Sequence, residues 1–219
     1  MSDIVIFGNG DIAELAHYYF TNDSEHQVAG FTVDGKYRKA DTFLDLPNTD
    51  FEFVEERFPP KQYDFFVAVS YAQMNDLRTM KYIEAKTKGY KIVSYISSHA
   101  TVFADLSGNE NCLVLENNTI QPFARIGNNV TLWSGNHIGH HAAIGNNVFI
   151  TSHVVISGGV DIGDNCFIGV NATVHDHVSL ADYTLVGAAS LINKDTEPYA
   201  VYKGAPAEKS RVPSNRLKI

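Results

Sequence analysis

The chain is 219 residues long and 44% hydrophobic, enough apolar material for one large or two small folded domains. Its formal net charge of -8 at pH 7 argues against nucleic acid or an anionic membrane surface as the main partner. No apolar run reaches the roughly 18 residues of a membrane span, and the N-terminus enters the IVIF run without a signal-peptide pattern, so a cytoplasmic location is expected.

Residues 1–95 read as a small α/β unit. Ile4–Phe7 is an apolar strand run, Gly8-Asn9-Gly10-Asp11-Ile12-Ala13 is a glycine turn, and Ala13, Leu15, Ala16 and Tyr19 continue as a helix. Further strands are expected at Val28–Val33, Phe65–Val69 and Ile92–Tyr95, with a helix from Gln73 to about Thr87. This alternation predicts a parallel sheet of Rossmann-like type. The turn matches G-x-G-x-x-A, which sets backbone N–H groups and a helix N-terminus against a phosphate. Gly8 and Gly10 are candidate nucleotide contacts, Asp34 closes the second strand where a ribose hydroxyl can be held, and Ser70 and Tyr71 follow a third strand end beside them. The plainer alternative is that both glycines only permit tight packing.

From Ile96 to Ile192 the pattern changes to a six-residue period. An aliphatic residue opens every hexad from Val114, Ile120 and Ile126 through to Ile192, and backwards to Ile96 only Gly108 breaks the rule. The fifth position is small or β-branched, and the fourth is repeatedly Asn, Gly or His, the types that enter a left-handed backbone conformation most readily. Three hexads close one triangular coil of about eighteen residues rising roughly 4.8 Å, a parallel β-helix over residues 96–197. Cys112 and Cys166 both fall at the inward fifth position, three coils or roughly 14 Å apart, too far for a disulfide, and read as buried fillers. Residues 198–219 form a basic tail with Lys203, Lys209, Arg211, Arg216 and Lys218, either a solvated arm or a source of cations for a phosphorylated ligand.

Histidines are the candidates for chemistry. His141, His153 and His177 occupy the corner position, where Asn or Gly would serve, whereas His140 stands at the third position with no architectural need for imidazole. An imidazole titrates near neutrality and can take a proton from an attacking amine or hydroxyl. One coil above His140 lies Gly158, followed by Gly159, and an exposed glycine N–H there suits the oxygen of a tetrahedral intermediate. Base and oxyanion donor on adjacent coils predict an acyl-transfer site.

These motifs, GNGDIAELA, NHIGHHAAIGNN, SGGVDIGDNCFIGVNATV and YKGAPA in that order, resemble the two-domain bacterial sugar acyltransferases of the NeuD/PglD type over essentially the whole chain. The resemblance implies a homotrimer of left-handed β-helices. It also implies acetyl-CoA in the groove between neighbouring helices, and a nucleotide-linked amino sugar on the N-terminal domain for surface glycan such as lipopolysaccharide O-antigen. Carried over, the general base is His140 and the amide meeting the thioester oxygen is that of Gly158; Gly159, Phe149 and Lys203 fall on the cofactor side, and Gly8, Gly10, Asp11 and Asp34 on the sugar-nucleotide side. Phe149 replaces a second histidine of the family, and His141 stands where some members carry an acidic residue that orients the base. Asn118 and Asn136, inward and one coil apart, either hydrogen-bond near the base or form an interior amide ladder.

Other readings are sugar O-acetylation by the same apparatus, a γ-carbonic-anhydrase-like zinc hydratase using His141 and His177, a non-catalytic nucleotide-binding scaffold, and an NAD oxidoreductase. The hydratase lacks a third histidine at the expected spacing, where Asp182 stands. The oxidoreductase leaves the β-helix without a purpose. No metal is required by the leading reading.

Overall fold

The computed structural model describes residues 3–204. The N-terminal unit contains β1 (Asp3–Phe7), α1 (Asp11–Asn22), β2 (Gln27–Val33), β3 (Thr42–Phe43), β4 (Leu46–Asp50), α2 (Val54–Arg57), β5 (Tyr63–Val67) and α3 (Asp76–Thr87). Its sheet runs β3-β4-β2-β1-β5, all parallel except the β3–β4 pair. Ile4, Val5, Ile6 and Phe7 are all buried, which explains a continuous apolar run: β1 is central and covered on both faces. The β3–β4 hairpin is absent from the sequence reading. Its two turn residues, Leu44 (φ 50°) and Asp45 (φ 62°), take the left-handed conformation without the Asn-Gly or Asp-Gly pair that announces such a turn.

The expected fourth strand, Ile92–Tyr95, divides between the two units. Ile92 makes a single bridge to Phe65, whereas Tyr95–Ile96 pairs with Leu113–Val114 and so starts the β-helix. Thereafter the column is a left-handed parallel β-helix with three faces. A seven-stranded face carries Leu113–Val114, Thr131–Leu132, Phe149–Ile150 and Phe167–Ile168; a six-stranded face carries His137–Ile138 and Val155–Ile156; a four-stranded face carries Arg125–Ile126, Ala143–Ile144 and Asp161–Ile162. The four-stranded face starts late because Gly108 offers nothing to bury; Leu106, at 6% exposure, reaches into the core near the loop instead. Past the expected end at residue 197 the chain returns, and Val201–Tyr202 pairs with Leu185–Val186 on the seven-stranded face. Lys209, Arg211, Arg216 and Lys218 lie outside the described residues.

Aliphatic first positions and small fifth positions fill the column as one cluster. At about 1.5–3 kcal/mol for each fully buried aliphatic side chain, this interior is what drives the coils together. Cys112 and Cys166 lie in it, and burial pushes both thiols up to about 11, so they are protonated fillers at neutral pH. Every corner residue from Asn111 to Ala189 has φ between 53° and 80°, including Phe123, Tyr183 and Ala189, which carry no left-handed preference of their own and are held there by the repeat.

The N-terminal unit covers the seven-stranded face. Tyr71 packs on Phe149 and Phe167 with ring centroids 5.1 and 4.7 Å apart, and Leu113, Leu115 and Tyr95 share a core with Ile4, Phe20 and Phe66. Beside this face runs an asparagine ladder along one corner: Asn111 donates to Asn129 (2.7 Å), Asn129 to Asn147 (2.9 Å) and Asn147 to Asn165 (3.1 Å). Its ends enter the N-terminal unit, where Asn165 donates to Asp76 and the Val67 N–H donates to Asn111. Arg78 of α3, 1% exposed, donates to the Asn129 Oδ1 and to the carbonyls of Asn129, Asn147 and Ser70. Burial lowers its guanidinium to about 9, still charged at neutral pH. The amide ladder is therefore at this corner and not at Asn118 and Asn136, whose side chains instead donate to the Trp133 carbonyl at 2.9 and 2.5 Å.

Candidate functional site

The corner opposite the covered face joins the six- and four-stranded faces and carries Pro122, His140, Gly158 and Asp176 at successive third positions. His140 is exposed. Its backbone is pinned on both sides: its N–H donates to Gln121 Oε1 (2.8 Å), and its carbonyl accepts the Gly159 N–H (2.9 Å). Its ring lies against Gly158, where a Cβ would stand 2.7 Å from Cε1 and 2.8 Å from Nε2, so only glycine leaves room for the imidazole. Among the described residues the Gly158 amide donates to no acceptor, while the Gly159 amide is already taken by His140. Base candidate and free amide thus share one open edge. His140 Nδ1 stands 3.1 Å from His141 Nδ1, and the His141 ring rests on Phe123 with centroids 4.8 Å apart.

His141, His153 and His177 have φ of 58–59°, in keeping with the corner role read from the sequence. The rings of His153 and His177 lie over Gly135 and Gly159, a packing the sequence reading missed although the eighteen-residue offset is visible in it. Among the described residues no group of three or more His, Cys, Asp or Glu side chains is arranged to hold a metal ion within one chain.

Two expected cofactor contacts are elsewhere. Phe149 is 2% exposed and enclosed by Tyr71, Phe167 and the Arg78 guanidinium 5.5 Å from its ring centre. It has no surface left for a cofactor; its work is to seat the N-terminal unit. Lys203 is exposed but follows the strand paired with Leu185–Val186, at a different corner and several coils above His140.

In the N-terminal unit, Gly8 has φ 130°, and a Cβ there would meet the Ala68 carbonyl oxygen at 2.7 Å, so tight packing explains this glycine. Gly10 has open space beside it and precedes α1, with Asp11 exposed as the first helical residue. Asp34 is paired with Lys81 (2.6 Å), which also bonds Glu84 (2.8 Å); burial lowers Lys81, but these two carboxylates outweigh it and hold the ammonium above its ordinary value. A concavity of about 580 Å³ opens here between the ends of β2 and β4 and the flank of α3, lined by Asp34, Phe51, Lys81, Glu84, Thr87 and Lys88. Gly8, Gly10, Ser70 and Tyr71 do not line it. Lys81 and Glu84 carry no sequence signal beyond their helical spacing, and only the fold brings them to Asp34.

Residues 123–158 match the family described as bacterial transferase hexapeptide (six repeats), and residues 159–192 match the hexapeptide repeat of succinyl-transferase. Similar solved structures span both units. One is a histidine-to-asparagine mutant of perosamine N-acetyltransferase from Caulobacter crescentus in complex with CoA and GDP-perosamine, at 23% identity and TM-score 0.80 over 95% of this chain and 96% of that one. Another is the acetyltransferase domain of PglB from Neisseria gonorrhoeae, at 18% and 0.77 over 95% and 99%. A third is WeeI from Acinetobacter baumannii, at 16% and 0.74 over 94% and 99%. No curated protein matches the chain by sequence. The chain therefore has the architecture of a hexapeptide-repeat left-handed β-helix preceded by a Rossmann-like unit. No helix among the described residues is long and apolar enough to cross a membrane.

Proposed function

We propose that this protein transfers the acetyl group of acetyl-CoA to the amine of a nucleotide-linked amino sugar. The observation that carries the reading is the exposed His140 imidazole lying on Gly158, whose own amide has no acceptor among the described residues. In the proposed reaction the amine nitrogen attacks the thioester carbonyl and a C–N bond forms. His140 Nε2 takes the proton lost by the amine, and the Gly158 N–H donates to the developing oxyanion. Collapse breaks the C–S bond, and the proton passes from His140 to the departing thiolate. Removing one such oxyanion donor costs on the order of 10²–10³ in kcat elsewhere, so an unused amide at this position is a substantial asset. The names of the similar structures, an N-acetyltransferase held with CoA and GDP-perosamine among them, favour this acceptor class.

The fold also supports a homotrimer. The N-terminal unit covers the face opposite the His140 corner, an arrangement in which a sugar nucleotide held at Gly10, Asp11 and Asp34 would be presented to the His140 of a neighbouring copy. A cytoplasmic location accompanies this reading, since both substrates are soluble intracellular metabolites.

The test is free-thiol release from acetyl-CoA in the presence of amino sugars linked to UDP, dTDP or GDP, with product mass measured. One of these acceptors should gain a single acetyl group. Release only with sugars bearing hydroxyls and no free amine moves the assignment to O-acetylation, and no release with any acceptor sinks the acyl-transfer reading.

A further inference from the structure

An imidazole that must take a proton at Nε2 needs its other nitrogen protonated and its ring held still. Neutral histidine has one ring proton, and left to itself it prefers to carry that proton on Nε2, the arrangement that cannot act as a base there. Something beside His140 has to reverse that preference. Among the described residues no carboxylate is bonded to its ring, and the group within reach is the neighbouring imidazole, Nδ1 to Nδ1 at 3.1 Å. Two nitrogens at that distance share one hydrogen, for two lone pairs would repel and two N–H groups would collide.

We propose that His141 is the positioning partner of His140: its Nδ1 accepts the Nδ1–H of His140 and so leaves the Nε2 lone pair of the base free. This inference rests on the acetyl-transfer reading for its purpose, but the hydrogen bond itself does not. Two features make His141 suited to it. Phe123 one coil below braces its ring, with centroids 4.8 Å apart, and its remaining nitrogen needs no protein partner because the residue is exposed. An imidazole acceptor fixes the tautomer without a permanent negative charge, unlike a carboxylate, so the protonated base is not held by an ion pair and returns its proton more readily to the leaving thiolate. Corner geometry alone does not require histidine, since Asn and Gly occupy the same position at Asn147 and Gly159.

Those two residues supply the experiment. His141→Asn suits the left-handed corner and places Oδ1 as many bonds from Cα as the native Nδ1, whereas His141→Gly suits the corner equally and removes the acceptor. Nitrogen-15 spectra of the His140 ring should show the Nδ1–H tautomer in the native protein and in His141→Asn, and a shift towards Nε2–H in His141→Gly. Turnover should follow: kcat within about fivefold of native for Asn and down roughly ten- to a hundredfold for Gly, with KM for acetyl-CoA unchanged in both. A His141→Gly protein with the native tautomer and the turnover of the Asn variant overturns the proposal. If no acceptor is acetylated by the native protein, the functional reading fails, and the ring spectra still decide the hydrogen bond.

Discussion

Two corners of the same column share one backbone conformation and differ in everything else. At the Asn111–Asn129–Asn147–Asn165 corner each side-chain amide donates to the next and the last to Asp76, Arg78 donates to the carbonyls, and the N-terminal unit packs along the edge. At the His140 corner two imidazoles and two glycines follow one another on adjacent coils, His140 and His141 are exposed, and among the described residues the Gly158 amide is unspent. The repeat sets where the corner is. The third and fourth residues decide whether it is sealed or left able to react.

Each corner can be broken separately. His140→Ala should lower kcat by about 10²–10⁴ while the thermal midpoint stays within a degree or two of native, because the ring is exposed and the core untouched. Arg78→Ala should do the reverse. It leaves the Asn129, Asn147 and Ser70 carbonyls without their donor in a buried place, and denaturant unfolding should report a loss of about 3–5 kcal/mol. Gly158→Ala sharpens the contrast: the added methyl lies against the His140 ring, and turnover should fall roughly ten- to a hundredfold with little change in stability.

The smallest effect concerns pH. Asp23, past the end of α1, accepts hydrogen bonds from Ser98, Tyr95 and Ser97 at the entry to the β-helix, and these hold its carboxyl down to about 2. A folded value below the unfolded one means the stabilisation is complete above about pH 4 and is lost as pH falls towards 2. Acid titration of stability should therefore show a component in that window that Asp23→Asn lacks.

Much of this was legible beforehand, because a hexad that buries one aliphatic and one small residue leaves a period no other architecture produces. The placement of the N-terminal unit was legible too, but in a column not read: the outward residues at 113, 131, 149, 167 and 185 are Leu, Thr, Phe, Phe and Leu, whereas those at 125, 143, 161 and 179 are Arg, Ala, Asp and Ser. An outward apolar residue every third hexad marks a covered face, and Phe149 belongs to that series. The Lys81–Asp34 pair and the Arg78 clamp were not legible, since each depends on a helix face meeting residues distant in sequence. The His140–Gly158 pairing needed only the eighteen-residue offset. What joins His140 to His141 needed side-chain directions, which a hexad pattern does not carry.

Amide hydrogen exchange with and without acetyl-CoA compares the two corners in one experiment. The Gly158 amide should exchange rapidly in the free protein, and acetyl-CoA should slow residues 157–160 and 139–142 while leaving Asn129 and Asn147 unchanged. Protection confined to the asparagine corner or the glycine turn, with none at 157–160, would contradict the assignment of the open corner as the site of acyl transfer.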